Sequence, residues 1–379
     1  MATPTFRQEL RTLSTIVVKV GSKILTGEEN VPHVKRVRSL VDDIACLRDS
    51  GRRVLLVSSG AIAHGMRALS LAKRPATIPA KQACASIGQI RLMHMYESFF
   101  SRHGIPIGQV LLSWDDLRDK KRYLNLRNTL FTLFDFQAVP IINENDSVGI
   151  EEIRFGENDT LAAQISLLIQ ADLFVNLTDI NGLYDRDPGS NRDARHIRTV
   201  PVITSDIYKY ASGSKSEISV GGMTTKLKAA EMVTKAGTIA LIGDGFRRSL
   251  LDVLADPSAG TLFLPSGKKM PARHRWIAFT GQPRGTIVVD AGAQKAIVEK
   301  GKSLLPAGVK KIIGQFNVGD MVDVHDENRH AVARGLVNYS SAEAAVIAGC
   351  NTVEISAKLG QKTFDEIIHR DNLVVLGSQ

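Results

Sequence analysis

Through the first two-thirds of the chain, short apolar runs alternate with stretches whose apolar residues recur every three or four positions. Ile16-Val17-Val18-Lys19-Val20 reads as a buried strand closed by Gly21. Val34, Val37, Leu40, Val41, Ile44 and Leu47 share one face of a helix over 34–49, which Gly51 ends. Val54-Leu55-Leu56-Val57 is a second strand, followed by Ser58-Ser59-Gly60 and a helix from near Ala61. Residues 106–112, 138–142, 173–177 and 238–242 read as further strands, and 123–136, 159–170 and 225–236 as helices. This alternation predicts an α/β fold, a mostly parallel sheet sandwiched by helices. Ligands of such sheets sit outside the carboxyl ends of the strands. Lys19, Ser59-Gly60, residues 143–146 and Thr178-Asp179 all follow strands and should meet at one edge.

Near residue 256 the pattern changes. Residues 256–275, with their Pro, Gly and Ser, read as a linker. Beyond Trp276, runs at 285–289, 321–324 and 331–337 are separated by Gly, Asn and Asp turns, which predicts a small C-terminal β-barrel with helices over 291–300 and 341–348. The expected division is 1–258 for the α/β unit, 259–275 for the linker, 276–360 for the small unit and 361–379 for a loosely held tail.

Composition adds exclusions. The 379 residues suffice for two domains, and 44% hydrophobic with 23% charged residues is ordinary for a globular protein. The N-terminal residues have no secretory pattern, and the apolar stretch 161–177 is broken by Gln164, Gln170 and Asp172, so the expectation is a cytoplasmic protein outside the membrane. Cys46, Cys84 and Cys350 are too widely spaced for a disulfide framework or zinc cluster. His64, His94, His103 and His196 lack metal-ligand spacing, and no protein-held metal is expected. The formal charge of +9 is spread out, with +4 in residues 268–379 and +5 before them. An anionic ligand accounts for part of it as well as a nucleic acid does.

Two runs carry the chemistry. Thr178-Asp179-Ile180-Asn181-Gly182-Leu183-Tyr184-Asp185 leaves a strand into a turn, with Gly182 placed for positive φ. Gly221-Gly222-Met223-Thr224-Thr225-Lys226 leads from a glycine pair to a lysine at a helix start. Glycines let backbone N–H groups approach an anion, and the helix dipole and lysine add positive charge. Neither run is a P-loop; Gly267-Lys268 has Leu262 where the first glycine is needed.

With Val17-Val18-Lys19-Val20-Gly21-Ser22, Ser58-Ser59-Gly60-Ala61-Ile62, Ile142-Asn143-Glu144-Asn145-Asp146 and Phe155-Gly156-Glu157-Asn158-Asp159, these runs form six motifs in order over essentially the whole chain. The chain resembles the glutamate 5-kinase family, an amino-acid-kinase domain followed by a PUA domain. The resemblance implies transfer of a phosphoryl group from ATP, with Mg²⁺, to the side-chain carboxylate of L-glutamate, the first step towards proline. A carboxylate with a pKa near 4 is already ionised and needs no general base, so positioning and cationic stabilisation should supply catalysis. By resemblance, Lys19 and Lys226 are those cations and Asp159 organises them. Asp159 is equally a first-turn acid for its helix. The resemblance assigns Ser59, Asp146 and Asn158 to glutamate, with Gly60 and Asn143 beside them. It assigns Lys19, Gly21, Thr178, Asp179 and the stretch Val220, Gly221, Gly222, Met223, Thr224, Thr225 and Lys226 to ATP. Two segments depart from the family pattern, Lys23 in place of a hydroxyl residue and Ser219-Val220 in place of Gly-Thr; both bear on phosphate contacts.

The resemblance further implies a homo-oligomer (dimer or tetramer), inhibition by proline near the 143–158 loop, and hand-off of the acyl phosphate to a reductase. Residues 205–219 read as a segment ordered by nucleotide. Two rivals remain: an RNA-binding protein acting through the C-terminal unit, and a catalytically weak regulatory homologue. Few aromatics and no dense arginine cluster stand against the first, and the intact Lys19, Asp159, Asp179 and Lys226 against the second.

Overall fold

The computed structural model describes residues 10–26, 33–148, 157–212, 222–266, 269–360 and 364–376. The chain divides into two compact units, Met1–Leu117 with Lys121–Lys269, and Arg118–Lys120 with Met270–Gln379.

The first unit contains strands β1 (Thr15–Val20), β2 (Arg53–Val57), β3 (Ile107–Leu112), β4 (Val139–Glu144), β5 (Leu173–Thr178), β6 (Leu183–Tyr184), β7 (His196–Ile197), β8 (Thr199–Val200), β9 (Ile239–Asp244) and β10 (Thr261–Phe263). Eight of them make one sheet in the order β3-β4-β2-β1-β5-β9-β10-β8, and β6 and β7 form a separate hairpin. Every pairing from β3 through β9 is parallel, and β10 runs antiparallel to β9. All six residues of β1 and of β5 are buried, as expected for central strands covered on both faces. Val37, Val41 and Ile44 of the helix Val34–Asp49 and Leu92, Tyr96 and Phe100 of the helix Ile78–Phe100 join Ile16, Val18 and Val20 in one core.

The expected linker over 259–275 is differently built. Thr261–Phe263 is a buried strand of the main sheet, and Ala272–Phe279 is a helix. Three residues amid Asp, Pro and Gly carry too short a pattern to read as a strand.

The helices Ala61–Ala68 and Ile78–Phe100 meet through glycine. A Cβ on Gly88 would lie 1.8 Å from the Ala61 carbonyl oxygen, and one on Gly65 1.8 Å from that of Cys84. Backbone atoms cannot swing aside as a side chain can. Gly88→Ala is therefore expected to destabilise the first unit by about 3 kcal/mol, the upper range of overpacking. Thermal unfolding of the purified variant checks this; an unchanged midpoint would show that the helices separate freely.

In the second unit, β11 (Gly285–Val289), β12 (Val309–Gly314), β13 (Met321–His325), β14 (Ala331–Leu336) and β15 (Leu373–Val375) form a sheet in the order β12-β11-β13-β14-β15. The helices Ala291–Val298 and Ser341–Ile347 lie near the expected positions. The expected tail over 361–379 departs from this reading: Ile367, Ile368 and Leu373 belong to the unit's core, and Leu373–Val375 pairs with β14. No helix among the described residues is long and apolar enough to cross a membrane.

Candidate active site

Parallel pairing fixes which residues share the carboxyl edge of the sheet. Lys19 stands between Val57 and Asn176, and Val57 pairs with Ile142. One or two residues further along, Ser58, Ser59, Asn143, Thr178 and Asp244 follow at the same edge. The helix Glu157–Leu168 brings Asp159 there in its first turn, and Met223–Lys235 brings Lys226.

Asp159 is the hub. Lys19 Nζ lies 2.6 Å from Oδ1, and Lys226 Nζ lies 3.3 Å from Oδ2. Thr225 Oγ1 donates to Oδ2 at 2.8 Å, and Asn176 Nδ2 donates to Oδ1 at 2.9 Å. Asp159 is 1% exposed, Lys19 6% and Lys226 7%. Burial by itself would raise the Asp159 carboxyl. The charges of Lys19 and Lys226, with hydrogen bonds from Lys19 and Thr225, outweigh it and hold the group well below the usual carboxylate range. Burial lowers the Lys226 ammonium; Asp159 opposes this and Lys19 adds to it, with a net downward shift. Two cations on one carboxylate leave the cluster with a surplus positive charge, suited to an anion.

A second cluster lies beside it. Asn158 Nδ2 donates to the Ser58 carbonyl at 3.1 Å, to Ser59 Oγ at 2.9 Å and to Asn143 Oδ1 at 3.3 Å. Asn143 Nδ2 donates to Gln89 Oε1 at 2.9 Å, and Ser58 Oγ is 2.9 Å from the Tyr96 hydroxyl. One amide thus ties the ends of β2 and β4 to the helix carrying Asp159. Asn158 Oδ1 is buried with no hydrogen-bond partner among the described residues. Gly60 has φ +93, which lets the chain turn from β2 into the helix Ala61–Ala68. Asp146 follows β4, half buried.

Next to Lys226 an open cavity of about 250 Å³ is lined by Lys23, Thr178, Asp179, Tyr184, Gly222 and Met223, among others. Gly182, on its wall, has φ +88 as its turn predicts. Thr178 Oγ1 donates to Asp179 Oδ1 at 3.1 Å, and Lys23 Nζ lies 2.8 Å from Asp179 Oδ2. Burial raises the Asp179 carboxyl, and the bond and charge of Lys23 more than reverse this. Gly21 N–H donates to the Leu177 carbonyl at 3.3 Å, tying the turn after β1 to β5. Thr224 is exposed at its helix start. Val220, Gly221 and Ser219 lie outside the described residues, as do 149–156 of the 143–158 loop. Of the segment 205–219, Ser205–Ser212 is a helix and the remainder lies outside them.

The structure therefore brings Lys19, Asp159, Thr225 and Lys226 together, and separately Ser59, Asn143 and Asn158. Sequence reasoning missed Asn176, Gln89 and Tyr96. Asn176 had a signal, being a polar residue inside the apolar run Leu173–Thr178.

The family comparisons agree with this architecture. The amino acid kinase family matches residues 14–242, and the PUA domain matches 285–359. The glutamate 5-kinase of Syntrophus aciditrophicus (strain SB) is 46% identical over 370 residues, covering 97% of this chain and 96% of that one. That of Geobacter sulfurreducens is 47% identical over 368 residues, covering 97% and 99%. That of Pelobacter propionicus is 45% identical over 371 residues, covering 98% and 100%. The chain belongs to the glutamate 5-kinase family. It is accordingly a kinase, a phosphotransferase with an amino-acid-kinase domain and a C-terminal PUA domain. Within a glutamate 5-kinase, the cationic cluster and adjoining cavity occupy the sheet edge where α/β enzymes bind their ligands.

Proposed function

We propose that this enzyme transfers the γ-phosphoryl group of ATP to the side-chain carboxylate of L-glutamate, giving ADP and L-glutamate 5-phosphate. One observation carries the proposal: a buried carboxylate, Asp159, holds Lys19 and Lys226 at the sheet edge, with an open cavity of about 250 Å³ beside Lys226 and a cluster of amide and hydroxyl groups beside Asp159. The acceptor oxygen attacks phosphorus, the bridge to the β-phosphate breaks, and negative charge grows on the phosphoryl oxygens and on departing ADP. Lys19 and Lys226 stabilise that charge, and because Asp159 fixes both in advance, little reorganisation accompanies the reaction. The residues 220–226 and Thr178-Asp179 hold the nucleotide, with the N–H groups of the helix Met223–Lys235 facing phosphate.

Glutamate sits at the other cluster. Ser59 and the N–H groups that follow Gly60 bind its α-carboxylate, and Asp146 pairs with its ammonium group. Asn158 Oδ1, buried without a donor, accepts a further hydrogen bond, and Asn143 keeps the Asn158 amide in place. Among the described residues no group of three or more His, Cys, Asp or Glu could hold a metal. Asp179, a carboxylate on the cavity wall, would hold a magnesium ion that enters with ATP, and the ion would supply positive charge to neutralise the phosphates.

ADP release tests the reading, with ATP and Mg²⁺ present and glutamate, aspartate or N-acetylglutamate supplied in turn. Hydroxylamine traps an acyl phosphate as the hydroxamate. Glutamate-dependent ADP release with stoichiometric hydroxamate is expected. Preference for another acid would overturn the assignment of the acceptor cluster.

A further inference from the structure

Lys23 lines the cavity and has no role in the mechanism above. Lys23 lies in the short helix Ser22–Leu25, just past Gly21 and the carboxyl end of β1. Its ammonium group rests on Asp179, which with Gly222, Met223 and Lys226 also lines the cavity. We propose that Lys23 is a third phosphate-binding lysine, which leaves Asp179 and turns onto the polyphosphate when nucleotide enters. The inference rests on the assignment of this cavity to ATP.

Three observations carry it. First, the other two lysines are committed: Lys19 and Lys226 are buried and fixed on Asp159, whereas the Lys23 side chain is 68% exposed. An exposed side chain can turn at little cost, and its pair with the 37% exposed Asp179 is weakened by solvent. Second, a polyphosphate carries more charge than one carboxylate and offers more acceptor oxygens, so the exchange favours phosphate once it is within reach. Third, Asp179 and Lys23 both line the cavity, so the Lys23 ammonium, 2.8 Å from Asp179, already stands beside the space a polyphosphate would enter.

The test is calorimetric binding of ATP, ADP, AMP and adenosine to the full chain, wild type against Lys23→Met and Lys23→Arg. About tenfold weaker ATP and ADP binding is expected for Lys23→Met, as for loss of one charge-assisted contact. Adenosine affinity should not change, and Lys23→Arg should restore most of the loss. Equal weakening for all four ligands would mean that Lys23 only shapes the cavity, and no weakening for any would mean that it stays on Asp179. Either result overturns the proposal while leaving the nucleotide site intact. A wild type that binds none of the four would instead remove the nucleotide assignment, and this inference with it.

A double substitution separates contact from simple neutralisation. In an Asp179→Asn background, Lys23→Met should still weaken ATP binding several-fold. If the loss disappears in that background, Lys23 does no more than cancel the Asp179 charge, and the proposal fails.

Discussion

Lys226→Ala should lower kcat about 10³-fold, within the range seen when a cation or donor to a transition state is removed. Lys226 Nζ reaches Asp159 on one side and lines the cavity on the other. The loss should fall on the chemical step, with the KM for glutamate changed little, because the acceptor cluster is held by its own hydrogen bonds from Asn158 to Ser59 and Asn143. Lys226→Arg should remain poor, since a longer planar group cannot occupy the buried position held by a compact ammonium. Steady-state kinetics below the melting temperature of each variant, with circular dichroism confirming the fold, decides the matter. A kcat within tenfold of wild type would take Lys226 out of the reaction.

The second large effect concerns stability. Asp159→Asn keeps the side-chain shape but leaves two buried ammonium groups without a counter-charge. Breaking a buried ionic cluster in this way costs about 3–5 kcal/mol, which in a unit of this size lowers the melting temperature by roughly 10 °C. The pH dependence gives a sharper check. The folded Asp159 carboxyl lies below its unfolded value, so its stabilisation is fully present above that unfolded value and is lost as pH falls through the folded one. Melting curves of wild type and variant should differ by a constant amount from about pH 5 to 8 and converge as the pH falls below about 4. An equal gap at pH 3 and pH 7 would show that the loss is one of packing rather than charge.

Much of this site is legible in the residues alone because each motif sits at the end of a strand whose apolar run is easily seen. Lys19 interrupts Val17-Val18 and Val20, Asp159 opens a helix, and Lys226 closes a glycine-led turn. Local pattern cannot reveal partners set by the register of non-consecutive strands. Lys19 and Asn176 share Asp159 only because β5 pairs with β1, and Gln89 meets Asn143 at the end of β4 from a helix 54 residues away in sequence. The Lys23 pair with Asp179 is of the same kind. The strand Thr261–Phe263 and the buried Ile367, Ile368 and Leu373 were hidden for a different reason: each is a short apolar insert among turn-forming or charged residues, where tertiary burial overrides composition.

The sheet order also bears on how the chain is made. β1 leaves the ribosome early, and β2 can cover one of its edges soon afterwards. Its other edge belongs to β5, which begins at Leu173. At about 5–20 residues per second, synthesis of the intervening stretch lasts on the order of ten seconds. Throughout that interval the nascent chain presents the backbone of Thr15–Val20 unpaired on one side, with a lysine near its end whose counter-ion has not yet been translated. An open apolar edge of this kind invites pairing between neighbouring nascent chains. The strand that later forms the centre of the catalytic sheet is thus open to pairing with other chains during translation until β5 has been made.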